Sequence, residues 1–442
     1  MLHVLISASR FSLIIFMAVY TFYSFTALKS NIKPASQEKL FKKQTRLMYM
    51  FLINANLILY LLYQDVRILI LAICEIVLFM LTFVIYKKIY SNASKSLVNN
   101  MCMLLAVSFV ILTRLDIDKA IKQFVFAAVA IVITCFIPII VAKLEGLSKL
   151  GMFYGIIGII GLALVLVIAQ TTYGAKLSLS IGPVVIQPSE FIKIIFIFFV
   201  ACMLKDIEDF KYLVKVTIIA AIHVLILVMS KDLGGALIFL VTYLVMLYVS
   251  TRNPFYMFIG LVAGALASIV AYFLFSHIQA RVIAWKDPLS VINDQGYQIC
   301  QSLFAIGYGG WFGTGLGQGM PEKIPVVTTD FVFSAISEEM GVLFSICIIF
   351  LCINCFLMMF NISLQIKDYF YKLIALGIGT LYGAQTFLAL GGVIKFIPST
   401  GVTLPLVSYG GSSLFCIIIL FAIIQGLYVR ENNEDMEYEE IR

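Results

Sequence analysis

Charged residues are scarce in this sequence. Asp, Glu, Lys and Arg make up 12% of the 442 residues, whereas roughly a quarter of an ordinary soluble domain is charged. Hydrophobic residues make up 62%, and no water-soluble fold can bury so large an apolar fraction. The composition therefore excludes a soluble globular protein and predicts a chain that lies mostly within a membrane.

Ligands for a metal or redox centre are also few. The chain has three histidines, and its nine cysteines lie mostly inside apolar runs, where they serve as small core residues. Cys352 and Cys355 form a Cys-x-x-Cys pair without a second pair, which argues against a zinc or redox site. The glycine-rich stretch 307–319 follows no strand, so it does not match a dinucleotide-binding fingerprint.

Apolar runs of about 18 residues or more recur from one end of the chain to the other. A helix of that length can cross a hydrocarbon core, and it satisfies its own backbone groups, as lipid requires. We therefore predict an all-α fold, a polytopic transmembrane helical bundle with thirteen spans. The predicted spans are 9–28, 47–64, 68–86, 99–113, 122–142, 152–170, 188–204, 213–230, 233–250, 255–276, 331–360, 371–394 and 412–429.

Basic residues predict the orientation of these helices. If the N-terminus lies outside, most of the 31 Lys and Arg residues fall in cytoplasmic segments, including the cluster from Lys29 to Arg46. The net charge of +7 is then largely a consequence of topology and gives no indication of a nucleic acid partner. We expect a multi-pass protein of the cytoplasmic (inner) membrane, with long external loops at 277–330 and 395–411 and an acidic cytoplasmic tail at 431–442.

Two charged residues lie inside one predicted span. Glu190 and Lys193 are three residues apart, so they share a helix face and can form an ion pair. A charge within a membrane span is costly and indicates function, although a structural pair that joins helices is the alternative. Asp232 precedes another span as a helix cap, and Glu338 and Glu339 lie inside a third, where each needs a partner or a cavity.

Several motifs occur in one order along the chain. They are Gln187-Pro-Ser-Glu-Phe-Ile-Lys193, Asp232-Leu-Gly234, Gly296-Tyr-Gln298 with Gln301-Ser302, Ala305-Ile-Gly307, the glycine run, Thr329-Asp-Phe331 with Glu338-Glu339, and Leu404-Pro-Leu-Val-Ser-Tyr-Gly-Gly-Ser-Ser413. In this order they resemble the SEDS family of peptidoglycan glycosyltransferases, the RodA, FtsW and SpoVE type. The resemblance covers residues 99–430, with ten of the predicted spans, and leaves 1–98 as a three-span extension without an assigned role.

The resemblance implies polymerisation of lipid II, the undecaprenyl-diphosphate-linked precursor, for cell elongation, division or sporulation, beside a class B penicillin-binding protein. In the family, the critical loop acid stands three residues after a proline and six before the Tyr of the Gly-Tyr-Gln motif. Counting from Pro288 or back from Tyr297 gives Val291, which cannot bind a proton. The nearest carboxylates are Asp294 and Asp287. We predict Asp294 as the catalytic carboxylate and keep Asp287, whose backbone the following proline restricts, as the alternative.

Transfer of a sugar from a lipid diphosphate needs a base for the acceptor hydroxyl and cations for the departing diphosphate. A divalent cation, Mg²⁺ or Mn²⁺, is a candidate cofactor, since magnesium commonly keeps few protein ligands. Two alternatives stay open: a flippase for the lipid-linked precursor, and a non-catalytic scaffold for a transpeptidase. The predicted substrate-binding residues are Glu190, Lys193, Arg281, Lys286, Gln298, Asp330 and Ser408.

Overall fold

The computed structural model describes residues 2–29, 33–90, 92–143, 146–168, 170–172, 175–181 and 184–440. Its helices are α1 (Leu2–Ala27), α2 (Pro34–Tyr63), α3 (Val66–Ile89), α4 (Lys95–Leu115), α5 (Ile117–Thr134), α6 (Ile137–Lys143), α7 (Gly151–Ile168), α8 (Pro188–Leu204), α9 (Phe210–Met229), α10 (Leu233–Thr251), α11 (Pro254–Leu274), α12 (Ser276–Lys286), α13 (Tyr297–Gly309), α14 (Val332–Gln365), α15 (Tyr369–Val393) and α16 (Gly411–Glu440). Three strands are β1 (Gln170–Thr172), β2 (Ala175–Ile181) and β3 (Val184–Ile186).

Each predicted span coincides with helix, and the prediction of a helical membrane bundle is confirmed. Twelve segments of the described chain are long and apolar enough to cross a membrane. One predicted span is not among these twelve segments. It corresponds to α8, which has 17 residues and so extends about 26 Å, somewhat less than a hydrocarbon core of about 30 Å. The span predicted at 188–204 is therefore a short helix, and most of its residues are buried among its neighbours.

Two details of the helical prediction differ from the structure. The span predicted at 122–142 is divided, because α5 ends at Thr134 and α6 begins at Ile137. Pro138 explains the break, since its ring would clash with the carbonyl four residues earlier and it lacks an N–H. The predicted external loop 277–330 is also not irregular throughout, because it contains α12 and α13.

A small antiparallel sheet in the order β1-β2-β3 joins α7 to α8, in a region for which we predicted no strand. The sequence does carry a strand pattern there, since apolar and polar residues alternate from Lys176 to Ile181. After β3, the Gln187 backbone N–H donates to Ser412 Oγ at 3.0 Å. The sheet therefore leads the chain into α8 next to the start of α16.

Contacts between loops divide the bundle into two ends. Arg10 near the start of α1 donates to the carbonyl of Gly313, so the start of the chain and the 277–330 region share one end. At the other end, Glu38 pairs with Lys95 at 2.6 Å, and the loop before α4 contacts the last turns of α16. The predicted alternation of the loops is consistent with this division. Residues 431–440 of the predicted tail continue α16, while 441 and 442 lie outside the described residues.

Buried polar side chains join the N-terminal helices to the rest of the bundle. Asn100 on α4 donates to Asn354 Oδ1 on α14 at 2.7 Å, and its own Oδ1 accepts from Tyr20 and Ser24 on α1 at 3.2 and 3.1 Å. Gln44 on α2 donates to Ser24 Oγ at 3.0 Å. All five side chains are fully buried. The first two helices therefore pack as part of the bundle, and the domain boundary at residue 98 stays a prediction.

α14 is interrupted close to its start. Gly341 has a φ of 87° and a ψ of 166°, which are not helical angles. The stretch 309–320, called the glycine segment below, fills the break: the Thr314 and Gly315 amides donate to two carbonyls just before it, each at 2.9 Å. A Cβ atom at Gly313 would lie 2.2 Å from a carbonyl oxygen of α14, so only glycine permits this approach.

The glycine segment also binds the two carboxylates that precede the break. Glu339 accepts from the Gly317 amide at 2.9 Å and from Arg114 Nε at 2.8 Å. Glu338 accepts from the Met320 amide at 2.7 Å. These hydrogen bonds supply the partners that carboxylates inside an apolar helix require. The pair therefore fastens the glycine segment to α14.

Candidate active site

The first turns of α8 carry the buried ion pair. Pro188 occupies the first helical position, where its missing N–H costs nothing. Lys193 Nζ donates to Glu190 Oε1 at 2.7 Å, as their spacing predicts. The Lys193 and Glu190 side chains are only 3% and 9% exposed. Each charge is therefore stabilised chiefly by the other and by nearby dipoles, because little water reaches them.

Polar groups from three other elements surround this pair. Lys193 Nζ also approaches Gln385 Oε1 on α15 at 3.4 Å. The Gln385 amide donates to the Thr403 carbonyl at 3.2 Å and to Ser413 Oγ, on α16, at 3.3 Å. Thr403 Oγ1 and Ser413 Oγ are 2.9 Å apart. The loop 395–410 is thus bonded to α15 and α16 directly beside the ammonium group.

Asp232 caps α10 and adds a second carboxylate to the cluster. Its Oδ1 accepts from the Gly235 amide at 2.8 Å, as predicted for a cap. Burial raises the pKa of Asp232, and the Gly235 N–H and the charge of Lys193 oppose that rise. A Cβ atom at Gly234 would lie 2.2 Å from Val402 Cγ2, so glycine there lets the loop 395–410 pack against the helix start.

Arg281 and Asp330 lie on the other side of that loop. Arg281, on α12, donates through Nη1 to the Ser399 carbonyl at 3.2 Å. A Cβ atom at Gly401 would lie 3.4 Å from Arg281 Nη2 and 3.6 Å from Asp330 Oδ2, so both groups border the same small space. Burial lowers the pKa of Arg281, and the negative charges of Asp330 and Asp232 oppose this decrease. Burial raises the pKa of Asp330, and the positive charge of Arg281 opposes this increase.

Ser408 holds the segment that precedes Asp330. Its hydroxyl donates to the Thr329 carbonyl at 2.6 Å and accepts from the Leu404 amide at 3.0 Å. The next residue, Tyr409, donates its amide to the Thr328 carbonyl at 2.8 Å. Ser408 is therefore bonded to protein on both sides and positions the start of α14, while its contact with substrate stays a prediction.

Four predicted site residues lie apart from the buried cluster. Lys286 ends α12, Asp287 and Asp294 lie on the turn between α12 and α13, and Gln298 is in the first turn of α13. All four are exposed to the surroundings of the protein. Asp287 Oδ1 accepts from a backbone amide within the turn, that of Ser290, at 3.3 Å. The predicted catalytic carboxylates are therefore exposed, whereas the predicted ion pair is buried.

The turn between α12 and α13 is closed by backbone contacts. The Val291 carbonyl accepts from the amides of Asp294 and Gly296 at 3.1 and 2.9 Å. A Cβ atom at Gly296 would lie 2.2 Å from the Pro288 carbonyl oxygen, and the φ of Gly296 is −81°. Gly296 therefore permits the close packing of this turn. Whether Asp294 or Asp287 is catalytic stays a prediction.

Sequence reasoning missed Gln385 and Ser413 as members of the site. Gln385 could have been found, because it is a polar residue inside the apolar span predicted at 371–394. Ser413 lies in a recognised motif, but its position beside Gln385 depends on the packing of α15 against α16. Asp232 was predicted as a cap, and its proximity to Lys193 and Arg281 also follows only from the fold.

A divalent cation was a candidate cofactor. Within the described residues, no three His, Cys, Asp or Glu side chains converge in a way that could hold a metal ion. The residues present do not fit an ion bound by protein ligands alone. An ion at this site would take most of its ligands from substrate and water.

Known proteins are similar to this chain in sequence. Peptidoglycan glycosyltransferase RodA of Mycobacterium bovis is 36% identical over 297 residues, which cover 63% of each chain. This chain therefore spans less than two thirds of the length of that relative. The probable peptidoglycan glycosyltransferase FtsW of Aliivibrio salmonicida is 31% identical over 360 residues, covering 77% of this chain and 87% of that protein.

A solved structure and a family model agree with these relatives. The structure named "Structural coordination of polymerization and crosslinking by a peptidoglycan synthase complex" matches with a TM-score of 0.64 and 27% identity, covering 77% of this chain and 98% of that chain. The model FTSW_RODA_SPOVE, described as "Cell cycle protein", matches residues 93–433. The chain belongs to the FtsW, RodA and SpoVE family of cell cycle proteins, the SEDS family that its motifs indicate.

Proposed function

We propose that this protein is a peptidoglycan glycosyltransferase that polymerises lipid II into glycan strands at the outer face of the cytoplasmic membrane. The observation that carries the proposal is the cluster of Glu190, Lys193, Asp232, Arg281 and Asp330 around the starts of α8, α10 and α14. Membership of the family supports the same activity, as do the names of the relatives, peptidoglycan glycosyltransferase RodA and probable peptidoglycan glycosyltransferase FtsW.

The cations of the cluster suit a lipid diphosphate. Arg281 has a planar guanidinium that can bind phosphate oxygens in pairs, and Lys193 adds a compact charge deeper in the bundle. Lys286 lies outside the cluster, exposed at the end of α12, and is the third candidate cation. When the bond between the anomeric carbon and the diphosphate breaks, these groups stabilise the negative charge that the leaving group gains.

A carboxylate completes the reaction by accepting the proton of the acceptor hydroxyl as the new glycosidic bond forms. Asp294 is our candidate for this base, and Asp287 is the alternative. A positioned base contributes about 10²–10⁴-fold to a rate. Mg²⁺ or Mn²⁺ bound to the diphosphate would neutralise part of its negative charge, and the protein would supply few of the ligands of that ion.

The orientation follows from the charge bias. With the cluster Lys29–Arg46 in the cytoplasm, the N-terminus and the 277–330 region face outward, and the tail 431–442 faces the cytoplasm. In whole cells, Ser36→Cys should resist an impermeant external thiol reagent, because residue 36 would be cytoplasmic. Labelling of this variant without membrane disruption would contradict the orientation.

A class B penicillin-binding protein is the partner that we propose, since polymerised strands need cross-linking. The matched solved structure is named as a complex that coordinates polymerisation and cross-linking, which supports a paired arrangement.

The test is to give purified full-length protein lipid II in the presence of its class B partner and to resolve the products by gel electrophoresis. We expect glycan chains. Movement of the lipid-linked headgroup across vesicles without chain formation would favour a flippase. If neither occurs and Val291→Asp creates polymerase activity, the chain is a scaffold that has lost its catalyst. The valine at position 291 is the observation that keeps this second candidate open.

A further inference from the structure

The N-terminal extension contacts the glycine segment through α1. Residues 1–92 lie outside the part of the chain that the family model matches. Within them, Arg10 Nη1 donates to the Gly313 carbonyl oxygen at 2.9 Å. The neighbouring Phe11 packs on Phe312 with ring centroids 5.5 Å apart. α1 therefore holds both the backbone and a side chain of the glycine segment.

The end of α2 contacts the same segment further along. A Cβ atom at Gly317 would lie 2.5 Å from Leu62 Cδ1, so the backbone passes directly against α2. The Arg114 guanidinium of α4 lies 5.9 Å from the ring centre of Tyr63 and donates to the Gly319 carbonyl at 3.2 Å. α2 and α4 thus flank the part of the segment that binds Glu339.

The glycine segment needs such support because its glycines allow the backbone many conformations. Gly310, Gly313, Gly315 and Gly317 all have positive φ angles, between 57° and 107°. Glycine loses more conformational entropy on ordering than any other residue. A segment of this composition stays in one arrangement only when outside groups hold it, and here the groups on one side belong to the extension.

The segment is coupled in turn to the candidate active site. On its far side it is bonded to α14 at the Gly341 break. The chain then continues to residues 328–330, where Ser408 and Tyr409 bind the carbonyls of Thr329 and Thr328. Asp330 follows directly. A shift of the glycine segment would therefore displace the start of α14 and the carboxylate next to Arg281.

We propose that α1 and α2 form an intramolecular clamp on the glycine segment, with Arg10 as a positioning residue for the external loop that carries Asp330. This gives the extension a function: it fixes the loop from within the same chain. The catalytic consequence of the clamp rests on the proposed polymerase function, whereas the clamp itself does not.

Hydrogen–deuterium exchange on the full-length protein tests the clamp without reference to activity. Arg10→Gln should speed exchange of the amides in peptides spanning 309–320 by about tenfold, the effect of losing a charged hydrogen bond. Arg10→Lys, which keeps a charged donor, should restore most of the protection. Arg67→Gln is the matched control, because Arg67 is an exposed arginine at the same end of the bundle and pairs with Asp65 instead.

Unchanged exchange in 309–320 for Arg10→Gln would overturn the clamp. If that variant does not fold, Phe11→Leu takes its place and should cause a smaller acceleration in the same peptides; no acceleration would again overturn it.

With lipid II as substrate, Arg10→Gln should lower kcat more than it raises KM, and Arg10→Lys should recover kcat. Faster exchange with an unchanged kcat would refute the link to Asp330, and an inactive parent protein would count against the proposed polymerase and leave the exchange result standing.

Discussion

The fold holds the predicted site residues in two different ways. Glu190 and Lys193 are almost fully buried on α8 and pair at 2.7 Å. Asp287 and Asp294 are exposed on the turn between α12 and α13. The pair places two opposite charges inside the bundle, whereas the turn is closed mainly by backbone bonds, with one contact at 3.3 Å from the Ser290 amide to the Asp287 carboxylate. Replacing the pair should therefore affect stability and function together, and replacing the turn residues should affect function alone.

The largest effect is expected for the buried pair. Glu190→Gln or Lys193→Met leaves one buried charge without its partner, which typically costs about 3–5 kcal/mol. We expect each single variant to lower the unfolding temperature strongly and to abolish polymerisation. Thermal unfolding in detergent, followed by the lipid II assay, measures both.

The double variant Glu190→Gln with Lys193→Met sharpens the comparison. It removes both charges, so it should be more stable than either single variant, even though it stays inactive. If the single variants fold and polymerise like the parent, the pair is neither a structural nor a functional unit. A double variant that is less stable than both singles would show that each residue contributes separately.

The next effect is expected on the exposed turn. Asp294→Asn should lower the polymerisation rate by about 10²–10⁴-fold, because it removes a positioned base, and should leave the unfolding temperature unchanged. Asp287→Asn is the matched variant seven residues earlier on the same turn. An active Asp294→Asn protein beside an inactive Asp287→Asn protein would assign the role to Asp287.

The sequence predicted the helices well because a hydrophobic run in a membrane has one stable form. It also predicted the pairing of Glu190 with Lys193, since residues three apart in a helix must meet. The division of α5 from α6 could have been predicted from Pro138, and the strand pattern before α8 was short enough to overlook. These are local features, and local rules account for them.

The assembly of the site could not be predicted in the same way. Gln385 contacts Lys193, and Thr403 and Ser413 bond to Gln385, only because α15, α16 and the loop 395–410 pack together beside α8. The Gly341 break is equally hidden, since glycine inside an apolar helix is common and only the inserted glycine segment reveals its use. Such contacts join residues far apart in the chain, and no spacing rule connects them.

The smallest effect is expected for Asp330, which is intermediate between the two regions: half-buried, and beside Arg281. Burial raises its pKa above the ordinary value of 3.8, so the folded protein keeps this proton to a higher pH than the unfolded chain does. Its contribution to stability is then fully present below about pH 4 and is lost as the pH rises through the raised pKa. Each unit of the rise corresponds to about 1.4 kcal/mol, and the charge of Arg281 limits it.

Asp330→Asn cannot ionise, so it should remove this dependence. Unfolding temperatures measured from pH 4 to pH 7 should fall more steeply for the parent than for the variant, and the two curves should separate as the pH increases. Asp294→Asn is the control, because it removes a carboxylate from an exposed position on the turn between α12 and α13. Parallel curves for the parent and Asp330→Asn would contradict this prediction, because Arg281 would then stabilise the ionised carboxylate enough to cancel the effect of burial.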